Sequence, residues 1–359
     1  MNLTLISLFC ALLATGDPVA APGDSAAPEV PSVARRAAGA ALSLVPGMLV
    51  PGGGHWMIGD RAGAKKMLLY KGAGLALFAL GFAPILYSNA ADQVMHAAYP
   101  VTVGGFGLFA LATLMDLTGA LFSGRPPGSP ARSAPAIELA SRWMHVSDPH
   151  FGYDHFWNPG VVARLHQFRA AGDFFHAPAD GNTRLRGALA WRPFGPRPGG
   201  APTTDGTFFE LSVALSRHAF VPEGFTVLTP EALALGRLDL RRIHPSLSGA
   251  FAELGIGWGL ERTAYDGVTT KPDLAQNLLV EVAYGLYLGH PVTDGEPGRG
   301  GELKFYYSHR HDDWAGGLQG VLGFFGVGGR YFFSRHWGLE AAAERGSATR
   351  VTLGAVFRY

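Results

Sequence analysis

The sequence predicts a mainly β fold: an antiparallel transmembrane β-barrel of eight to ten strands, ten preferred, preceded by an α-helical hairpin. Three observations carry this expectation. From Thr183 onward apolar and polar residues alternate at period two, the signature of strands whose two faces meet different surroundings. Many of these runs reach roughly ten to fourteen residues, where strands average about five or six, and about ten is what a tilted strand needs to cross a bilayer. Charged residues make up only 16% of the 359, against a usual level of about 25%, while 50 glycines and 11% aromatics suit membrane strands. The formal net charge of +1 supplies neither a basic stripe nor an acidic tail, so no nucleic-acid partner is expected.

In chain order, Leu3 to Ala14 is apolar and leads into the small residues Ala14, Thr15 and Gly16. Residues 1–16 therefore read as a signal peptide, although no Lys or Arg precedes the stretch. The single cysteine, Cys10, falls inside it, so the mature chain is expected to hold no disulfide, no thiolate metal site and no cofactor. Residues 17–36, rich in Pro, Ala, Ser and Asp without periodicity, read as a disordered linker. Residues 37–122 form the helical hairpin membrane domain, because Met67–Tyr87 and Val101–Phe122 are each close to the roughly 20 residues that cross a bilayer. Each run carries one ionisable residue, Lys71 or Asp116. A charge at the bilayer centre costs about 3 kcal/mol, so Lys71, near its helix start, is expected to reach toward the headgroups.

Ahead of the first run stands Pro51-Gly52-Gly53-Gly54-His55-Trp56-Met57-Ile58-Gly59. It resembles the Pro-Gly-x-Gly-His motif of small bacterial two-helix membrane domains, over about residues 40–122. The resemblance implies closely packed helices with His55 and Trp56 at an interface, and His55 as a packing residue. No activity follows from it. A Pro-rich linker, residues 123–135, then separates the hairpin from the barrel, residues 136–359. Within 136–181, Ile137–Val146 and Val161–Ala170 fit a helix and a strand equally well, which leaves a periplasmic segment or a first strand open.

Nine runs are visible beyond that point: 184–192, 207–217, 234–242, 249–262, 276–289, 301–312, 317–333, 337–345 and 349–359. Bacterial single-chain barrels have even strand numbers. Either one more strand lies in 136–171, giving ten, or 234–242 is not a strand, giving eight. The polar face carries Arg184, Arg186, Arg192, Lys304, Arg330, Arg350 and Arg358 against Glu210, Glu253, Glu261, Glu281, Glu302, Glu340 and Glu344. Interleaved signs in so narrow a barrel predict a paired, water-poor lumen and no large pore.

The last strand ends Thr352-x-Gly354-x-x-Phe357-x-Tyr359. This is similar to the C-terminal signal read by the barrel-assembly machinery of Gram-negative bacteria, and Gly329–Glu340 resembles the penultimate hairpins of small OmpA-like barrels. The resemblances imply an outer-membrane barrel with its C-terminus in the periplasm. By parity His309 and His311 continue the outward face of Leu303, Phe305 and Tyr307, at the cell-surface end. Ser308-His309-Arg310-His311 resembles the His-x-Ser segment of outer-membrane lipid A deacylases, which would make His309 and His311 catalytic. The pattern departs at the nucleophile, since His311 stands in the serine's place and Ser308 is expected on the opposite face. His145, Asp148, His150, Asp154 and His155 offer metal-ligand types, but their spacing matches no site pattern, so His145, His150 and His155 predict no metal site.

These readings predict an integral outer-membrane barrel with a structural, scaffolding or interaction role. Its expected partners are the lipid bilayer, lipopolysaccharide and, during biogenesis, the assembly machinery. The alternatives are a lipid A-modifying hydrolase and an inner-membrane protein with a soluble β-domain. The twelve or so residues of the Pro-rich linker span at most about 40 Å. The hairpin is therefore expected to pack with the barrel in or beneath the outer membrane.

Overall fold

The computed structural model describes residues 31–44, 51–89, 91–123, 128, 134–149, 155–198, 205–267, 273–289, 299–310 and 323–359. The expected signal peptide, His150, Asp154 and His311 lie outside the described residues. The chain divides into two units: residues 1–127 with Leu240–Ser248, and residues 128–239 with 249–359.

The second unit is a closed antiparallel barrel of twelve strands. They are β1 (Ile137–Ser147), β2 (His155–Leu165), β3 (Phe168–His176), β4 (Thr183–Phe194), β5 (Phe208–Phe220) and β6 (Phe225–Asp239), then β7 (Ala250–Tyr265), β8 (Asp273–Leu288), β9 (Gly300–Ser308), β10 (Phe324–Phe332), β11 (Trp337–Arg345) and β12 (Thr349–Arg358). Each strand pairs with its sequence neighbours, and β1 closes on β12 from Glu138↔Arg358 to Ser147↔Thr349.

The expected ten strands are corrected to twelve, and the reason lies in residues 136–181, which hold three strands and not one. Pro159 interrupts the pattern of β2, and the small residues Ala170, Ala171 and Gly172 blur that of β3, so neither gave a clean alternation. Within the run 234–242, residues 234–239 are the second half of β6, whose earlier half carries Pro230, and 240–242 form a 3-10 turn.

Alternation holds in three dimensions. On β1 the large side chains Leu139 and Trp143 are exposed while Met144 and Val146 are buried. Leu185 and Leu189 on β4, Val213 and Leu215 on β5, and Leu353 on β12 continue the apolar outer face. The β1–β12 register puts the start of β1, the end of β12 and the β2–β3, β4–β5, β6–β7, β8–β9 and β10–β11 connections at one end. Near the other end a buried apolar cluster contains Met144, Val146, Phe156, Phe220, Val227 and Ala348.

The first unit contains α1 (Val33–Leu44), the single turn α2 (Gly53–Met57), α3 (Arg61–Tyr87) and α4 (Asp92–Phe122). Both long helices exceed the expected runs and are apolar enough to cross a bilayer. They approach backbone to backbone through glycines. A Cβ on Gly74 would stand 2.6 Å from Phe109 N, and one on Gly105 would collide with Phe78 N. Asp60 caps α3 by accepting from Gly63 N at 2.9 Å. The β6–β7 connection, Leu240–Ser248, also belongs to this unit and forms two short 3-10 turns, Leu240–Arg242 and Pro245–Leu247.

Candidate functional site

Two places concentrate chemistry, one in each unit. In the barrel it is the lumen, where alternate residues of every strand point inward by the two-residue pleat. Arg142 on β1 reaches Asp173 on β3 at 3.0 Å and also Glu340 on β11. Arg169 and Arg192 share Glu210 at 2.5 and 2.9 Å. Longer chords run from Arg237 to Glu302 at 2.8 Å, from Arg310 to Glu231 at 2.6 Å and from Arg330 to Glu138 at 3.2 Å. Arg142 has room for its two partners because Gly160 and Gly354 lie beneath it; a Cβ on either would stand 2.7–2.8 Å from its side chain. The paired charges line a cavity of about 580 Å³.

In the helical unit the glycine-rich motif builds a buried polar cluster. Gly52 sits at φ 81, a left-handed conformation that opens α2 and favours glycine, and a Cβ on Gly54 would overlap the Ser43 hydroxyl. This tight turn delivers two amides and an imidazole to one carboxylate. Asp116 accepts from His55 N at 3.0 Å and from Gly54 N at 3.4 Å, and His55 Nδ1 lies 2.8 Å from Asp116 Oδ1. Lys71 Nζ lies 3.5 Å from Asp116 Oδ2, and all three side chains have no exposure.

Lys71 is therefore corrected: it does not reach out to headgroups but turns inward, because the buried carboxylate of Asp116 needs a counter-charge. His55 likewise is fully buried and not interfacial, whereas Trp56 is exposed. Ser246 Oγ lies 3.2 Å from His55 Nε2 and 2.7 Å from His244 Nδ1. Burial pushes the His244 imidazole below its ordinary value, with Lys66 and His55 adding to the effect and Asp60, 3.5 Å away, opposing it. Neither Ser246 nor His244 carried a motif in the sequence.

The remaining sequence candidates scatter. His309 Nδ1 lies 2.8 Å from Tyr307 Oη, while Ser308 is buried on the other face, its hydroxyl without a partner among the described residues. His145 and His155 face each other across β1 and β2 with ring centroids 5.0 Å apart, and Trp143 stacks on His155 at 5.3 Å. Among the described residues no group of three or more ligand-type side chains could hold a metal. Thr352, Gly354 and Phe357 lie on β12; Phe357 packs on Trp337 at 5.1 Å, and Tyr359 is 76% exposed.

No family model and no curated protein matches the chain. Solved outer-membrane proteins align with it at low similarity. A KdgM porin aligns at 7% identity and a TM-score of 0.37, over 62% of this chain and 99% of that one. The outer membrane protein Omp33 of Acinetobacter baumannii aligns at 9% and 0.30, over 63% and 98%. The translocator domain of the autotransporter NalP from Neisseria meningitidis aligns at 12% and 0.30, over 62% and 88%. Scores this low establish no kinship.

Proposed function

We propose that the chain is an integral outer-membrane β-barrel protein with a structural or interaction role, its lumen closed to large solutes. The membrane reading rests on the outer face. Soluble proteins rarely expose contiguous apolar patches beyond a few hundred Å², yet here side chains such as Leu139, Leu189, Val213 and Leu353 stand exposed on strand after strand. The outer membrane in particular is favoured by the closed antiparallel barrel with an even strand number. Closure is carried by one observation. Paired charges span the lumen, and near one end Met144, Val146, Phe156, Phe220 and Val227 form a buried apolar cluster, where a water-filled pore would need polar walls.

With the C-terminus in the periplasm, that apolar end faces the cell surface. Trp143, His145 and His155 then form an amphipathic rim suited to the sugars and phosphates of lipopolysaccharide. A hydrolase at His309 gains no support here, since the neighbouring hydroxyl of Ser308 turns inward.

The test is a planar-bilayer recording with the purified, heat-modifiable full-length chain. Silence or brief small steps are expected in moderate salt. Large, steady conductance would overturn the closed-lumen reading.

A further inference from the structure

The helical unit contains a constellation that the barrel does not use. Asp116 Oδ1 lies 2.8 Å from His55 Nδ1, and His55 Nε2 lies 3.2 Å from Ser246 Oγ. A carboxylate on one ring nitrogen and a hydroxyl on the other is the geometry by which a histidine acts as general base toward a serine. The carboxylate fixes the tautomer. With the proton held on Nδ1 toward Asp116, Nε2 is left as the acceptor facing Ser246.

His244 supports this arrangement. Its Nδ1 lies 2.7 Å from Ser246 Oγ and 3.5 Å from Asp60 Oδ2, a buried oxygen with no hydrogen bond of its own. Ser246 N donates to the same nitrogen at 3.4 Å, so His244 holds the Pro245–Leu247 turn that places Ser246 before His55. The imidazole of His55 is held in place from both sides. A Cβ on Gly63 or on Gly119 would collide with its ring, so the two glycines shape a slot that fits it. Ser246 itself is only half-buried, on a short turn, whereas the base and its carboxylate are dry. An accessible nucleophile in front of an enclosed base is the required order of exposure.

From this we propose that Ser246, His55 and Asp116 form a serine-hydrolase site that cleaves ester-linked acyl chains of phospholipids. The substrate class follows from the surroundings. α3 and α4 expose Leu68, Leu69, Leu75, Leu80, Phe82 and Phe106, a surface that suits acyl chains. Among the described residues of the unit, Arg35, Arg36, Arg61, Lys65 and Lys66 lie toward the end where α3 starts and α4 finishes, Arg241 and Arg242 lie on the Leu240–Ser248 segment, and no Lys or Arg occurs from residue 72 to 124. Arg35 donates to Met57 O and Arg36 to Ser123 O at that end. A basic rim beside an apolar flank matches an anionic headgroup above its acyl chain. For the substrate class alone, this inference rests on the membrane reading above.

The reaction balances without a co-reactant other than water. Ser246 Oγ bonds to the ester carbonyl carbon as its proton passes to His55 Nε2. The carbon–oxygen bond to the lipid alcohol then breaks, and His55 returns the proton to the leaving oxygen. Water attacks the acyl-serine ester, gives a proton to His55, and releases the fatty acid as Ser246 recovers its proton. Asp116 touches no substrate; it is a positioning residue acting through His55.

The test uses the full chain in detergent with a fluorophosphonate probe, and in phosphatidylglycerol vesicles with mass-spectrometric detection of free fatty acid. Labelling at Ser246 is expected, absent in Ser246→Ala and reduced about 100-fold or more in His55→Gln. Asp116→Asn separates positioning from packing, because its residual labelling should climb steadily with pH instead of levelling off. Folding of each variant is verified by heat-modifiable migration of the barrel. No labelling of folded wild-type protein between pH 6 and 9 would overturn the site. Labelling without Ser246-dependent fatty-acid release would overturn the phospholipid substrate. Neither result bears on lumen conductance, so this proposal and the closed-lumen reading fail separately.

Discussion

At the residue scale the Leu240–Ser248 segment hangs on one titratable group. His244 accepts from Ser246 N at 3.4 Å and faces Asp60, Lys66 and His55. Burial lowers its affinity for protons in the folded state, while an unfolded histidine titrates near about 6.5. The unfolded state therefore binds more protons below that point, so stability from this group is complete above about pH 6.5 and is lost as pH falls toward the lowered folded value. Hydrogen exchange across residues 240–248, corrected for the intrinsic rate, should show protection at pH 7.5 that declines by pH 5. In His244→Gln the decline should flatten. Equal pH dependence in both proteins would contradict the assignment.

At the element scale, the helical pair depends on absent side chains. α3 and α4 meet where Gly74 faces Phe109 and Gly105 faces Phe78, so a larger residue has no room without parting the backbones. Gly105→Leu is expected to destabilise the pair by about 1–3 kcal/mol, the usual cost of overpacking. Gly107→Leu, where an added Cβ would meet nothing within 4 Å, serves as the control. Thermal unfolding followed by the helical circular-dichroism signal should separate the two variants, and equal midpoints would refute the glycine contact. The barrel elements differ in how they were legible. β7, β8 and β12 announce themselves by long unbroken alternation, whereas β2 and β6 carry Pro159 and Pro230 mid-strand and lose a ladder partner there. A reading by pattern shortens or drops such strands.

At the scale of the whole molecule, Tyr359 offers a test that separates folding from the proposed delivery signal. Its backbone closes the seam, exchanging hydrogen bonds with Ile137 at 3.1 and 2.9 Å, but the residue is largely exposed. Tyr359→Ala keeps both seam bonds and loses only the ring. Refolding of the purified variant in micelles should match wild type, while the heat-modifiable form recovered from outer membranes of expressing cells should fall several-fold. An equal loss in both assays would make the residue structural and not an address.

What the sequence by itself determined was the class of each part. Period-two alternation with an apolar outer face dictates strands around a polar lumen, and the interleaved Arg and Glu residues dictate that the lumen is paired. Two long apolar runs dictate the helices, and the Pro51–Gly59 motif marks the turn that His55 occupies. These signals are local, readable within one turn or one pleat. Strand number is not local, because closure requires β1 to find β12 across the whole barrel, and β1 to β3 carry too little contrast to be counted alone. The joining of His55 to Asp116, 61 residues away, and to Ser246, 191 residues away, lies equally beyond any periodicity. Only the folded chain brings a helix-turn imidazole, a buried carboxylate and a serine on the β6–β7 connection within hydrogen-bonding distance, because the buried charge of Asp116 has to be met by whatever donors the tertiary structure supplies.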